Sequence, residues 1–528
     1  MMKQVLLSLF LISFLIYPQN FNIQNYSLTL NLYENFEPPY PHSFFGYEEI
    51  KIQAENDLEF VKLNASNNSL SIQSISLDSK NFTHINDTLT IHLNRKIKAG
   101  QQFKIGINYF HNNVKDESFF VDNGMLFTMN APEGARNWFP CYDHPSDKAT
   151  LSVSAKTPKN VLLASNGLLK DSVQIADTIF YKWESLYPIA TYLINITAKV
   201  NYNLDIRTWQ NIPVRYYWNN GEDKDNLKKM EMTIPNILDY YSKLFGDFPF
   251  DKVGFATLNH LFSFGGMENQ TIISLCPNCW NEEVISHELS HEWFGNMISP
   301  ASWSDIWLNE GFATYCEGLW YEHKMGKDSY NYYIKLNAEK YFASDKFFPI
   351  YIPEWSQRTP PIDTLYNGSI IYAKAAVVLH TLRFVLGDSI FFKALYKYTT
   401  NPRLKYANTS TNDFIEVVNK VSGKNQDWFF NEWLKYPRHP VYDIHYSSKE
   451  IEANRWQFEI VINQENLNNF IFKMPIEVEI LFKDETVEEK IIENDKQNQR
   501  FTFIFSKRPI GMQFDKSNRI PLKEALIK

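Results

Sequence analysis

"ISHELSHEWFGN", residues 285–296, places two histidines four apart with a glutamate directly after the first. The surrounding run VISHELSHEWFGNM carries apolar residues at three-and-four spacing, which predicts a helix. Four residues on a helix advance roughly 6 Å and a little more than one turn, so His287 and His291 project from one face. Two imidazoles placed that way can share a metal ion. A catalytic zinc takes three protein ligands and keeps one position open, with His, His and Glu among the common sets. Glu288 is turned about 100° from the pair, the general-base position of HExxH. The competing reading is a solvent-facing amphipathic helix. A chain with 12 histidines in 528 residues shows this pentapeptide by chance in about one case in fifty, so a third ligand is needed to decide.

Glu310 supplies it. It lies nineteen residues after His291, inside WLNEGFATY on the next predicted helix, with enough chain between for a loop and an antiparallel return. A glutamate at that fixed offset lowers the chance expectation to about one in a thousand. Glu317 follows seven residues later, two turns along the same face, where it can accept the outward N–H of a ligating histidine; an ordinary exposed glutamate is the alternative.

Upstream, residues 265–269 read GGMEN and precede a run of strand composition. Gly265 and Gly266 permit close approach of a ligand backbone, and an extended peptide can add to such an edge. Glu268 then faces the end of that peptide, where a carboxylate pairs with a free α-ammonium. A plain glycine turn before a strand is the competing reading.

The chain is too long for one core, which predicts two to four domains. A net charge of -8 gives no electrostatic reason to bind nucleic acid or anionic lipid. Residues 1–19, with Lys3 followed by an apolar block, read as a signal peptide and predict export; with no clear cleavage site, an uncleaved anchor remains open. No other segment reads as long enough to span a membrane, so stable insertion of the mature chain is not expected. Four cysteines are too few for a disulfide framework; Cys276 and Cys279, in CPNC, read as a local disulfide or two inert thiols in preference to a redox or metal site.

Residues 20–204 alternate in short runs such as YSLTLNLY and FKIGINYF, predicting an antiparallel β domain. From about residue 225 the period turns helical, and residues 205–437 form the expected catalytic domain. Alternation returns over 438–528, the size of a small β-sandwich, with the acidic DETVEEKIIEND as a solvated edge or loop.

HELSH, the eighteen-residue gap, Glu310 and the upstream GGMEN together resemble the aminopeptidase N and leukotriene hydrolase family of zinc aminopeptidases, gluzincins with the GxMEN exopeptidase signature. The resemblance extends over nearly the whole mature chain. It includes ARNWFPCYDHPSDKA at 135–149, similar to FPC-x-D-x-P, and YAKA at 372–375, similar to Tyr-x-Lys-Gly. It implies a multidomain α+β fold: an N-terminal antiparallel β domain, a thermolysin-like α/β catalytic domain and a C-terminal β-sandwich. It implies one zinc ion on His287, His291 and Glu310, Glu288 as base, and Tyr372 as the oxyanion donor in preference to Tyr366. It also implies that Gly265, Gly266, Met267, Glu268 and Asn269 bind peptides with a free N-terminus. Many family members continue into a large helical C-terminal domain, so any access control exerted there is not carried over to this chain.

Two positions depart from the family. TMNA at 128–131 puts Met129 and Ala131 where Gln and Glu are usual, removing a second amine-binding carboxylate; Asn130 and Glu133 are the candidate replacements. Ala375 stands where glycine is usual. The rival readings are a zinc endopeptidase without amine anchoring and a non-catalytic peptide-binding or scaffold protein. Asn-x-Ser/Thr sites occur at Asn25, Asn81, Asn86, Asn195, Asn269 and Asn408; a glycan on Asn269 would block the cleft, so that residue is expected to be buried or unmodified.

Overall fold

Alternating apolar residues become strands whose buried faces meet in the N-terminal part of the chain. The computed structural model describes residues 20–528; the expected signal sequence lies outside them. A seven-stranded sheet runs in the order Leu168–Ile175, Thr178–Ala190, Lys148–Pro158, Phe21–Asn31, Phe45–Ala54, Gln102–His111, Leu70–Leu77. It is not purely antiparallel as expected, because Phe21–Asn31 pairs parallel with Lys148–Pro158, Asn25 facing Thr150. These strands lie far apart in sequence, so no hairpin fixes their relative direction. A four-stranded and a three-stranded sheet complete this part.

Asn203–Trp209 opens a second unit, a five-stranded sheet ordered Asn203–Trp209, Ile212–Trp218, Val253–Thr257, Ile273–Leu275, Gly266–Met267. The GGMEN segment thus forms the sheet's outer edge, antiparallel to Ile273–Leu275 with Gly266 opposite Leu275. Helices α1 (Lys224–Phe245), α2 (Glu282–Ser290), α3 (Trp307–Met325) and α4 (Lys327–Phe342) follow. Asn281 caps α2 by accepting from Val284 N at 3.0 Å, and Glu282 and Glu283 sit in its first turn, where the helix dipole favours acids. Residues 307–320 of α3 are all buried, so this helix is the spine of the catalytic unit. Beyond α4 come α5 (Ile362–Leu365), a π-helical turn over Gly368–Lys374, and α6 (Ala375–Leu386). Where α3 and α6 cross, a Cβ added at Gly311 would stand 2.5 Å from Ala375 Cβ, so one glycine suffices for the close approach.

Contrary to the sequence expectation, Ile362–Leu386 is long and apolar enough by composition to cross a membrane. Seventy-two per cent of its most apolar stretch is buried inside the protein, as for a core helix.

The C-terminal part packs a four-stranded sheet (Gln499–Phe505, Arg455–Gln464, Val441–Glu452, Glu524–Ile527) with a three-stranded one (Val487–Asn494, Met474–Phe482, Pro509–Phe514). The acidic stretch supplies Val487–Asn494, a solvated edge strand. His380 on α6 ties this part to the helices: its Nδ1 accepts from Tyr330 Oη at 2.7 Å and its Nε2 donates to Asn518 O at 3.3 Å. Those bonds define a neutral ring, and burial pushes its pKa from 6.5 down to about 4. The unfolded chain binds the proton more readily, so this contribution to stability is complete above pH 6.5 and lost as pH falls towards 4, at most on the order of 3 kcal/mol. His380→Gln keeps one acceptor and one donor without titrating. The variant should lose less apparent Tm than the wild type between pH 7 and pH 4.5; parallel losses in scanning calorimetry would assign the acid sensitivity elsewhere.

Candidate active site

Helix α2 stops at Ser290, although the helical period of the sequence runs on through Met297, yet His291 keeps helical dihedrals (φ -59°, ψ -24°), so the four-residue spacing still aligns the two imidazoles. Helix α3 brings Glu310 against them. Glu310 Oε2 lies 3.4 Å from His287 Nε2 and 3.5 Å from His291 Nε2. A tetrahedral zinc with bonds of about 2.0–2.1 Å separates its donors by about 3.3 Å, so this set fits such an ion. Among the described residues a second cluster, Glu268, Glu288 and His291, also converges closely, but it shares His291 and uses the two carboxylates read as anchor and base.

The outward ring nitrogens fix the tautomers. His287 Nδ1 donates to Glu317 Oε1 at 2.7 Å, and His291 Nδ1 donates to Phe294 O at 3.0 Å, leaving both Nε2 lone pairs for a metal. Tyr333 Oη on α4 donates to the other oxygen of Glu317 at 2.5 Å, a support for which the sequence offered no signal.

Burial sets the electrostatics. It pushes His291 down, yet Glu268 and Glu310 outweigh it and carry the ring to about 9. It pushes Glu310 up, yet His291 and His287 hold the carboxyl at about 2. The protein alone therefore answers the buried Glu310 charge with imidazolium, and a bound cation performs the same neutralisation. Burial, only partly offset by His287 and His291, raises Glu288 to about 7. Tyr372 and Tyr366 are held well above the ordinary phenol value, chiefly by burial, with Glu310 the first carboxylate acting on Tyr372 and Glu268 on Tyr366. Both remain neutral donors. Tyr372 stacks on His287 with ring centroids 6.0 Å apart, and Tyr366 Oη is buried without a hydrogen-bond partner.

These groups line a cavity of about 430 Å³ together with Gly265, Gly266, Met267 and Glu268. Gly266 lies against Glu288, whose flexible carboxylate an added Cβ would press upon, whereas Gly265 meets only Val284 Cγ2 at 3.6 Å. Asn296 Nδ2 donates to Glu268 O at 2.8 Å and fixes the anchor's backbone. Cys276 and Cys279 are disulfide-bonded, and Cys276 N donates to Gly265 O at 3.1 Å beside the same edge.

Asn269 is not brought to the cavity with its neighbours. It is buried, with Oδ1 accepting from Ser274 Oγ at 2.9 Å and Asn195 Nδ2 at 3.3 Å, so its amide braces the turn and is inaccessible to a glycan. Neither candidate replacement for the missing carboxylate reaches the cavity. Asn130 is fully buried, its Nδ2 donating to Thr191 O and Ile194 O and its Oδ1 accepting from Trp138 Nε1. Glu133 is held by Arg136 at 2.8 Å and accepts from Trp303 and Thr359. Met129 and Ala131 do line the cavity, so the positions for which the resemblance implied Gln and Glu present apolar side chains to the space that Glu268 also lines.

Removing the Glu317 carboxylate frees His287 to change tautomer and orientation. Glu317→Ala should weaken zinc binding by about 10- to 100-fold, and Glu317→Gln by less, in a chelator competition titration that needs no turnover. Equal affinity in all three proteins would make Glu317 dispensable to the metal site.

Two family models match the chain: the peptidase M1 N-terminal domain over residues 22–193 and the peptidase family M1 domain over 228–433. Aminopeptidase 2 of Candida albicans is 26% identical over 472 residues, covering 81% of this chain and 48% of that protein. A leucyl aminopeptidase of Saccharolobus solfataricus is 24% identical over 490 residues, covering 87% and 58% respectively. The chain thus spans about half the length of these curated relatives. Among solved structures, an M1 zinc metallopeptidase of Deinococcus radiodurans superposes with a TM-score of 0.69 at 21% identity, covering 80% of this chain and 95% of that one. A mutant M1 zinc metallopeptidase from the same organism, bound to a Tyr-Ser-Ala substrate, gives 0.68 at 22% identity over the same shares. With two matched domains spanning well over half its length, and the donor set that family membership implies for one catalytic zinc, this chain belongs to peptidase family M1.

Proposed function

We propose that this chain is a zinc-dependent aminopeptidase that hydrolyses the first peptide bond of substrates with a free N-terminal amine. The observation that carries this reading is the placement of Glu268, on an open sheet edge, in the same cavity as His287, His291 and Glu310. A metal-donor set alone suits any zinc peptidase. A buried carboxylate beside it, at the end of a strand to which a peptide can add, suits one that counts from the amine.

Zinc, when bound, polarises the scissile carbonyl and acidifies water. Glu268 accepts the substrate ammonium and sets the register. Glu288, with a pKa near 7 in the protein alone, takes a proton from the attacking water and gives it to the departing nitrogen as the C–N bond breaks. Tyr372 donates its phenol hydrogen to the carbonyl oxygen as negative charge develops there. The apolar Met129 and Ala131 line the same cavity as Glu268, which suits an uncharged first side chain. We also propose that the protein is exported: the signal-like sequence of residues 1–19 and the Cys276–Cys279 disulfide both suit an oxidising compartment.

The deciding experiment compares one peptide with its N-acetylated form, before and after chelation. Hydrolysis of the free peptide alone, lost on chelation and restored by zinc, is expected; equal hydrolysis of both would make the protein an endopeptidase. Glu288→Gln should retain zinc, measured by elemental analysis, while kcat falls by about 10²-fold or more. Near-normal turnover would remove Glu288 from the proton transfers.

A further inference from the structure

The site cavity is acidic, with Glu268, Glu283, Glu288, Glu310 and Glu317 on its walls. Lys340 is the single lysine or arginine among the residues that line it. It sits in the last turn of α4, exposed, with Nζ against Gly368: a Cβ built there would stand 3.3 Å from the nitrogen. Gly368 begins the π-helical turn that carries Tyr372. Elsewhere on α4, Lys335 pairs with Glu339 at 3.6 Å, whereas Lys340 makes no hydrogen bond or ion pair among the described residues. The carboxyl that feels its charge is Glu283, at the start of α2. Among the described residues Lys340 thus has no hydrogen-bonded or ion-paired partner, and it lines the cavity.

Its position relative to the anchor gives the cavity a polarity. Glu268 belongs to the flank of His291: polar atoms of Glu268, Glu288 and His291 lie within 4.8 Å of one another. Lys340 lies beside Gly368, the start of the turn that carries Tyr372, and Tyr372 stacks on His287, whose Nδ1 bonds Glu317. We take a peptide with its ammonium at Glu268 and its first carbonyl at the metal donors to run on towards the His287 side of the cavity, where Tyr372 stacks. A tripeptide extends only about 10 Å, so both of its ends belong to the neighbourhood of one cavity that Glu268 and Lys340 both line.

Resting on the aminopeptidase reading, we propose that Lys340 recognises a carboxylate on the leaving-group side of the scissile bond, so that the enzyme favours short peptides with a free C-terminus. The same chemistry is offered by an acidic side chain at the second or third residue, and the test separates the two sources. Lys340 acts as a specificity-determining residue, not a catalytic one.

The substrates are trialanine, trialanine amide and Ala-Asp-Ala amide, compared by kcat/KM on the zinc-loaded full chain. The wild type should favour trialanine over its amide by about tenfold, mainly through KM, as expected of one charge-assisted hydrogen bond. Lys340→Gln should bring that ratio close to one and Lys340→Arg should retain it; comparing ratios within each variant cancels any general loss of activity. A preference confined to Ala-Asp-Ala amide would overturn the terminal-carboxylate assignment in favour of an acidic side chain. A ratio near one in the wild type, with the amides cleaved, would overturn the role of Lys340 while leaving the aminopeptidase reading standing. Calorimetric binding of the same peptides to zinc-loaded Glu288→Gln, with and without Lys340→Gln, reads the carboxylate contact without turnover. Tighter binding of the free acid there, abolished by Lys340→Gln, would support the contact even if no peptide were hydrolysed.

Discussion

The constraint on which the structure turns is the burial of one ionised carboxylate, Glu310, between two imidazoles. An ionised carboxylate transferred from water into a protein interior costs several kcal/mol unless it is paired and hydrogen-bonded. Glu310, 3% exposed, meets His287 Nε2 and His291 Nε2 within 3.5 Å, and each ring is itself held from behind. Such a cluster stabilises a fold poorly compared with apolar side chains of the same volume, so its presence in the core is best understood as a demand of metal chemistry. The rest of the catalytic unit supplies the rigidity that the cluster requires. Helix α3 is buried from Trp307 to Trp320, which fixes the position of Glu310, and α4 reaches back through Tyr333 to hold Glu317.

A second device sits across the cavity. The sheet edge at Gly266–Met267 leaves backbone groups free to pair with an added strand, and edges of this kind are a hazard unless they are short or covered. This one is two residues long and bordered by the cavity. Its geometry is kept by neighbours that do not line the cavity: Asn296 bonds the backbone of Glu268, and Asn269 closes the following turn. The conspicuous GGMEN thus divides its labour, four residues facing the cavity and the fifth bracing the chain behind them.

The N-terminal β part does more than flank the active site. Asn166 and Gly167 bond to Gln270 and Thr271, directly after GGMEN, and Tyr192 receives the amide of Asn309, the residue before Glu310. Met129 and Ala131, from the same part, form cavity wall. The cavity wall is therefore built from two structural units.

The sequence by itself made the cluster of His287, His291 and Glu310 legible, because two histidines four apart share one helical face and a glutamate nineteen residues on leaves room for an antiparallel return; the readings of Glu288 and Glu268 came with the resemblance of HELSH and GGMEN. It also determined the order of β, helical and β segments, since periods of two and 3.6 are local properties. What only the tertiary structure decided involves partners brought together from distant segments. The parallel pairing of Phe21–Asn31 with Lys148–Pro158, the withdrawal of Asn130, Glu133 and Asn269 into hydrogen-bond networks, and the support of Glu317 by Tyr333 have no local signature. Lys340 is the plainest case. Along the chain it is one of 52 basic residues, and only the packing of α4 against the Tyr372 segment places its ammonium on the wall of an acidic cavity. A side chain's chemistry is written in its residue type, but what that chemistry meets is fixed by packing.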